Sequence, residues 1–319
     1  MQILITGASG FIGYNLAQSY LKDKKNKVYG IDCLDDYYSV ALKKKRLNKL
    51  KLKKNFFFKK IDLCDYTNLN EFLKKKKFDI AIHLAAQAGV RYSIVNPQKY
   101  LKVNILGYLN LLKLLNKYKA KKILYASSSS VYGDNINFPL KEKEKLNPKN
   151  VYGLTKKLNE IIAEYYFKKY NTKIIGLRFF TVFGEWGRPD MFFLKLFKSL
   201  KTEQTMFVNN YGDHVRDFTY VGDVVKFIDI LSKKKIKKHD VYNICSNKPV
   251  NINEIIKDFK KNWKFKLKYK PMDSADIYKT HGSNLKIIKF TKFKKFTDLN
   301  EGIQKTLNWY LKEKIYKLS

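Results

Sequence analysis

Apolar residues in the first half of the chain fall into short runs at 2–6, 27–32, 56–61, 78–84, 122–127 and 173–179. Short apolar runs bounded by turn residues read as strands. Ile80-Ala81-Ile82-His83-Leu84 is almost unbroken, which suits a strand covered on both faces of a sheet. Helical periodicity occupies the gaps at 11–22, 67–77, 100–119 and 152–170. Strands alternating with helices imply parallel βαβ units with right-handed crossovers. The expected fold class is α/β, a Rossmann-type doubly wound parallel sheet.

After Thr181 the pattern changes. Residues 183–190 read as a loop with Gly, Trp and Pro, and 191–200 as a helix. Residues 218–231 read as a helix and 241–245 as a strand returning to the sheet. The remainder mixes short strands with a closing helix over 299–312. We therefore expect a smaller, interwoven C-terminal α/β substrate domain. The dinucleotide-binding domain would span 1–180 with 217–248 returning to it. Residues 181–216 and 249–319 would form the substrate domain, with a cleft between the two.

Composition changes this picture little. The chain has 319 residues, 45% of them hydrophobic, an ordinary share for a globular protein. No apolar run approaches the roughly 20 residues needed to span a bilayer. The N-terminus lacks a basic region and is broken by glycines, so it reads as strand and turn rather than signal peptide. The net charge of +37 invites a nucleic-acid reading. Only five of the 65 basic residues are Arg, however. The lysines, including the runs 43–45, 74–77 and 233–235, are spread over helix faces and read as solvated surface. Three scattered cysteines and four unclustered histidines argue against a disulfide framework or a metal site and fit a reducing cytoplasm.

Candidate chemistry begins at Thr6-Gly7-Ala8-Ser9-Gly10-Phe11-Ile12-Gly13. A glycine-rich turn between a strand and a helix lets the backbone approach a pyrophosphate at the helix N-terminus. Asp32, at the end of the second strand, can accept both hydroxyls of a ribose and would repel a 2′-phosphate, so NAD is favoured over NADP. Asp62 ends the third strand, where it holds an adenine edge or caps the next helix. Tyr152 and Lys156 share one helix face at i,i+4. A nearby ammonium favours the phenolate, though such a pair is also an ordinary surface contact. Ser127-Ser128-Ser129-Ser130-Val131-Tyr132-Gly133 ends the fifth strand, at the carboxyl edge where open α/β sheets bind ligands.

Taken together, T-G-x-x-G-x-x-G, Asp32, His83-Leu84-Ala85-Ala86, S-S-S-S-V-Y-G and Y-x-x-x-K resemble the extended short-chain dehydrogenase/reductase family of nucleotide-sugar enzymes. The resemblance implies Tyr152 as acid/base and Lys156 as its orienting partner. Ser128 is the assisting hydroxyl, with Ser127 and Ser129 beside it. Gly7, Gly10, Phe11, Ile12, Gly13, Asp32, Asp62, Leu63, Leu84, Ala85, Ala86 and Asn104, with Tyr152 and Lys156, would bind NAD. Dehydrating relatives carry an acidic pair where Ser129 and Ser130 stand, so their absence points to epimerisation.

Ala86-Gln87-Ala88-Gly89-Val90-Arg91-Tyr92-Ser93, Arg178-Phe-Phe-Thr181-Val-Phe183-Gly184, Trp186-Gly187-Arg188-Pro189-Asp190-Met191 and Arg216-Asp217-Phe218-Thr219-Tyr220 are similar to the UDP-glucuronate 4-epimerase branch. This implies a UDP-sugar substrate contacted by Gln87, Arg91, Ser128, Thr181, Arg188 and Arg216. Arg188 and Thr181 would take the carboxylate and Arg216 the diphosphate. Arg91 would face sugar or phosphates, and Arg178 either serves the site as a motif arginine or is structural at the end of a core strand. Trp186 lines the cleft or packs its loop. The resemblance also implies a homodimer through the helices at 100–119 and 152–170, with Tyr108, Leu112 and Leu115 at the interface or against the sheet. A 4-epimerase of a neutral UDP-hexose or another nucleotide uronate stays open. So does a non-catalytic NAD-binding sensor.

Overall fold

The computed structural model describes residues 1–318; Ser319, the end of the expected second domain, lies outside them. The chain opens with β1 (Gln2–Thr6), α1 (Phe11–Tyr20), β2 (Lys27–Asp32), α2 (Val40–Lys51), β3 (Phe56–Lys60), α3 (Tyr66–Leu73) and β4 (Ile80–His83). Two short helices follow, α4 (Tyr92–Val95) and α5 (Pro97–Leu101). α5 passes through a π turn (Lys102–Leu106) into α6 (Gly107–Lys117). Then come β5 (Ile123–Ser128), α7 (Val151–Tyr170), β6 (Ile174–Phe179), β7 (Thr181–Phe183), α8 (Phe192–Thr202) and β8 (Met206–Asn209). The rest comprises β9 (Val215–Tyr220), α9 (Val221–Lys233), β10 (Asp240–Ile244), β11 (Pro249–Asn251), α10 (Ile252–Asn262), β12 (Leu267–Lys270), α11 (Leu285–Thr291) and α12 (Leu299–Lys312).

Seven strands form one sheet in the order β10-β6-β5-β4-β1-β2-β3. Every pairing in it is parallel. The strand order reverses between β1 and β4, and the crevice outside the carboxyl ends at such a point is where open α/β sheets take ligands. Side chains alternate between two buried clusters. Ile3, Ile5, Ile80 and Ile82 face one cluster, while Leu4, Ala81 and Ile123 face the other. That double burial explains the unbroken apolar run in β4. The first cluster continues through Val208, Ile255, Ile303 and Leu307, so the C-terminal elements share one core with the large sheet. β11, β9 and β7 make a second sheet, and β12 with β8 a third. The exposed Lys59 and Lys60 on edge strand β3 discourage pairing with another chain.

Several expectations are corrected. Residues 218–220 are strand, not helix: they end β9 and pair with β7. Their Phe-Thr-Tyr run has strong β preference, and α9 begins only at Val221. No element was expected at 40–51, where α2 buries Leu42, Leu47 and Leu50 together with Lys43 and Arg46. Lys43 is thus no solvated surface charge; its Nζ lies 4.2 Å from the centre of the Tyr38 ring. The helix expected over 67–77 stops at Leu73, and Lys75 has a left-handed backbone with φ of 64°. Tyr108, Leu112 and Leu115 are buried in the core beneath the sheet and present no outer face. Among the described residues no helix is long and apolar enough to cross a membrane. No group of three or more His, Cys, Asp or Glu residues among them could hold a metal.

Candidate active site

The crevice at the switch point is a cleft of about 550 Å³. Its floor is the glycine turn. Gly7 has φ of +73°, and a Cβ there would stand 2.7 Å from the Ala85 nitrogen. A Cβ on Gly13 would stand 2.0 Å from the Gly7 carbonyl oxygen. Only glycine lets the turn, the β4 end and α1 close on one another. Gly10 caps α1 without a side-chain hydrogen bond, so the helix's first N–H groups keep their capacity for an anion. Phe11, Ile12, Leu63, Leu84, Ala85 and Ala86 line the same cleft. Asp32 accepts from the Ser9 N–H at 2.9 Å and the Leu34 N–H at 2.8 Å. Burial pushes its carboxyl up, while these hydrogen bonds and Lys43 oppose the shift. Asp62 also lines the cleft and closes a turn on the Cys64 N–H. The cap of α3 is Asp65 instead. This uncapped, glycine-walled cradle with a carboxylate at one end suits a dinucleotide.

The far wall carries the acid/base candidates. Asn150 caps α7 by accepting from the Gly153 N–H at 2.9 Å, which fixes the first turn holding Tyr152. Lys156 is 1% exposed and donates to the Ala126 carbonyl at 2.9 Å. Burial lowers its pKa to about 8. Its Nζ lies 5.9 Å from the Tyr152 ring centre. Contrary to expectation, the Tyr152 hydroxyl is not depressed by this ammonium. Burial raises it, and the Ser128 hydroxyl and the Arg188 charge oppose that rise.

The serines divide. Ser128 accepts from the Ser130 N–H at 3.1 Å and stands by Tyr152. Ser129 lines the cleft at the start of a 3₁₀ turn. The Ser127 hydroxyl turns away and donates to Glu160 at 2.5 Å. Glu160 is itself forked by Arg178 at 2.9 and 2.7 Å, which makes Arg178 structural. His83 stacks on Tyr108 and pairs with the Thr6 hydroxyl at 2.8 Å. Burial and Lys156 lower its pKa to about 3, so it stays neutral.

Gln87, Thr181 and Arg188 line the cleft. Arg188 donates from Nε and Nη2 to the Asp190 carboxylate, each at 3.1 Å. Asn104 does not line it. Asn104 lies in the π turn and braces the wall from behind, holding the Gln87 N–H at 2.8 Å and the Thr155 hydroxyl at 3.1 Å. Arg91 and Arg216 also lie outside the cleft lining, at a separate cluster. Arg91 forks Asp276 at 3.2 and 2.7 Å. Arg216 donates to the Tyr278 and Ile277 carbonyls at 2.8 and 2.7 Å, and burial lowers its pKa to about 10. Trp186 packs its loop, buried against Tyr14 and Trp309. Ser283 is buried and hydrogen-bonded to the Leu140 carbonyl. Arg46, the one arginine outside the motifs, went unremarked in the sequence, yet its guanidinium is fully buried beside the glycine turn. Its position on the Leu42–Leu50 face of α2 was the available signal.

Residues 3–245 match the NAD dependent epimerase/dehydratase family. The chain belongs to that family. This family member is 36% identical over 310 residues to the UDP-glucuronate 4-epimerase of Thermodesulfobacterium geofontis, covering 96% of this chain and 95% of that one. The Bacillus cereus UDP-glucuronic acid 4-epimerase, solved with UDP-glucuronic acid and NAD, superposes with a TM-score of 0.92. It is 30% identical, covering 98% of this chain and 100% of its own. The Thermotoga maritima UDP-glucose 4-epimerase, solved with UDP-glucose, gives a TM-score of 0.89 at 27% identity, over 98% and 99% of the two chains.

Proposed function

We propose that this protein is an NAD-dependent UDP-sugar 4-epimerase that interconverts UDP-glucuronate and UDP-galacturonate. One observation carries the choice of sugar: the Arg188 fork, which Asp190 must yield to a substrate carboxylate, lies in the same cleft as Tyr152 and Thr181, and its charge acts on the phenol. A guanidinium fork matches a carboxylate, and a neutral hexose offers it none. The Thermotoga relative keeps the neutral hexose as the rival reading.

Gly7, Gly10, Gly13 and Asp32 would hold NAD, which would supply a reversible hydride acceptor for C4 of the sugar. Tyr152, whose phenolate is favoured against burial by the Ser128 hydroxyl and the Arg188 charge, removes the 4-hydroxyl proton and gives it back to the C4 oxygen after the sugar has turned. Ser128 shares a hydrogen bond with the same oxygen, and Lys156, anchored on the Ala126 carbonyl, stands beside the phenol ring. Between the two transfers the 4-keto sugar turns over in the cleft. A 4-keto uronate is a β-keto acid and prone to lose carbon dioxide. Arg188 and Thr181 hold its carboxylate away from the alignment that favours that loss. Arg91 and Arg216 meet the diphosphate once Asp276 and the 277–278 carbonyls yield them. Residues 1–180 and 217–248 hold the cofactor, and 181–216 and 249–319 the nucleotide sugar.

Leu101, Leu106, Leu154, Ile161 and Tyr165 are exposed on α5, the π turn and α7 and support a homodimer. Free cysteines throughout fit a cytoplasmic enzyme. Its product, a nucleotide-activated uronate, suits glycosyl transfer into polysaccharide.

Incubation with UDP-glucuronate and no added NAD, read by NMR, should give inversion at C4. Absence of conversion, or xylose-type products forming at the epimerisation rate, contradicts the assignment. Arg188→Ala should lower uronate turnover at least about 100-fold. Unchanged turnover would refute its carboxylate role.

A further inference from the structure

The structure assigns Arg46, assisted by Asn15, as a positioning residue that ties the cofactor turn to the loop carrying Arg188. The inference rests on the reading of Arg188 given above. Arg46 is 0% exposed, and among the described residues no carboxylate forms an ion pair with it. A buried cation without a counterion is expensive unless its donors are met. Its two terminal nitrogens meet oxygens in two places, while Nε has no hydrogen-bond partner. Nη1 donates to the Ser9 carbonyl at 3.0 Å and the Tyr38 hydroxyl at 2.7 Å. Nη2 donates to the Trp186 carbonyl at 2.6 Å and the Gly187 carbonyl at 2.9 Å. Ser9 lies within the glycine turn, and its N–H is the one Asp32 accepts. Gly187 directly precedes Arg188. One guanidinium thus joins the ribose-reading carboxylate, the turn and the uronate-reading loop in a single chain of hydrogen bonds.

The loop needs such a tie. Trp186 has a left-handed φ of 63°, a conformation that a bulky side chain adopts only when its surroundings impose it. From α1, Asn15 adds a second hold by donating to the Phe11 and Glu185 carbonyls, each at 3.0 Å. Lysine keeps the charge of Arg46 but lacks a fork that can reach both segments. A loosened loop would misaim Arg188 and leave the diphosphate cluster around Arg91 and Arg216 untouched.

The test is calorimetric titration of UDP-glucuronate and of UDP into protein saturated with NAD, in a Tyr152→Phe background that prevents turnover. NAD retained through purification is measured separately after denaturation. Arg46→Lys should weaken UDP-glucuronate by about ten-fold or more and UDP by less than about two-fold, and should lower the retained NAD. Asn15→Ala should show the same selectivity at several-fold. Equal weakening of both ligands, or no change in either, overturns the tie. Arg188→Ala is the control. If it fails to separate UDP-glucuronate from UDP, the uronate reading fails. If it separates them and Arg46→Lys does not, only the tie fails. Should Arg46→Lys not fold, Asn15→Ala decides: selective loss supports the tie and its absence overturns it.

Discussion

Lys156 keeps its ammonium almost wholly out of water with one carbonyl as its hydrogen-bond acceptor. Its folded pKa of about 8 lies below the ordinary 10.5, so the unfolded chain binds that proton more tightly. Stability from this position is therefore absent below pH 8 and grows as pH rises toward 10.5. Holding the charge at neutral pH costs the fold about 3 kcal/mol. Lys156→Met should melt several degrees higher than wild type at pH 7. That advantage should shrink as the pH approaches 10.5, while epimerisation falls at least about 100-fold. Thermal melts at both pH values check it; a variant that melts lower at pH 7 would contradict it. The Tyr152–Lys156 pair was legible in the sequence because i,i+4 spacing fixes a shared face. Its electrostatics were not. The charge that opposes the rise at Tyr152 comes from Arg188, 36 positions away in sequence numbering, and only the closed fold brings it there. Ser127 shows the same limit. Strand alternation turns it toward Glu160 while Ser128 meets the cleft, and which serine faces which side depends on register.

At the scale of elements, α7 places Tyr152 and Lys156 at the cleft and its cap sets the placement. Asn150 is buried, accepting from the Gly153 N–H, with its own amide aimed at the Ala275 carbonyl at 3.4 Å. Asn150→Ala should cost about 1 kcal/mol and let the turn bearing Tyr152 fray. Steady-state kinetics should then show kcat falling more than KM rises, with Asn150→Asp restoring most of kcat because it keeps the acceptor. An equal effect on both constants, or no rescue, would detach the cap from the chemistry. The inner strands of the large sheet, β1, β4, β5 and β6, were legible because both their faces are buried. α2 was not. Its lysines hide the spacing of Leu42, Leu47 and Leu50, and its apolar face is completed by a buried arginine. β9 was misread because Phe218-Thr219-Tyr220 runs without a break into the periodic start of α9. The π turn at Lys102–Leu106 left no sequence signal, since one extra residue per turn does not disturb a helical pattern over so short a stretch. It still aims Asn104 at the loop bearing Gln87.

For the molecule as a whole, the question is what covers its apolar outer face. Tyr108, Leu112 and Leu115 are spent on the core, yet Leu101, Leu106, Leu154, Ile161 and Tyr165 remain between 42% and 54% exposed. They lie on α5, the π turn and α7, which pack side by side, so the exposed side chains belong to one helical surface rather than scattered points. A chain of net charge +37 repels its copies over most of its surface. The proposed homodimer would therefore be driven where apolar area replaces lysine, and pairing two helices from each copy would give a four-helix bundle. Light scattering should find a dimer whose population rises with salt, because salt screens the lysines and leaves apolar burial intact. Ile161→Lys with Tyr165→Lys should yield a folded monomer with an unchanged circular dichroism spectrum. A wild-type monomer at all salt concentrations, or a dimer that survives both substitutions, would move the interface elsewhere.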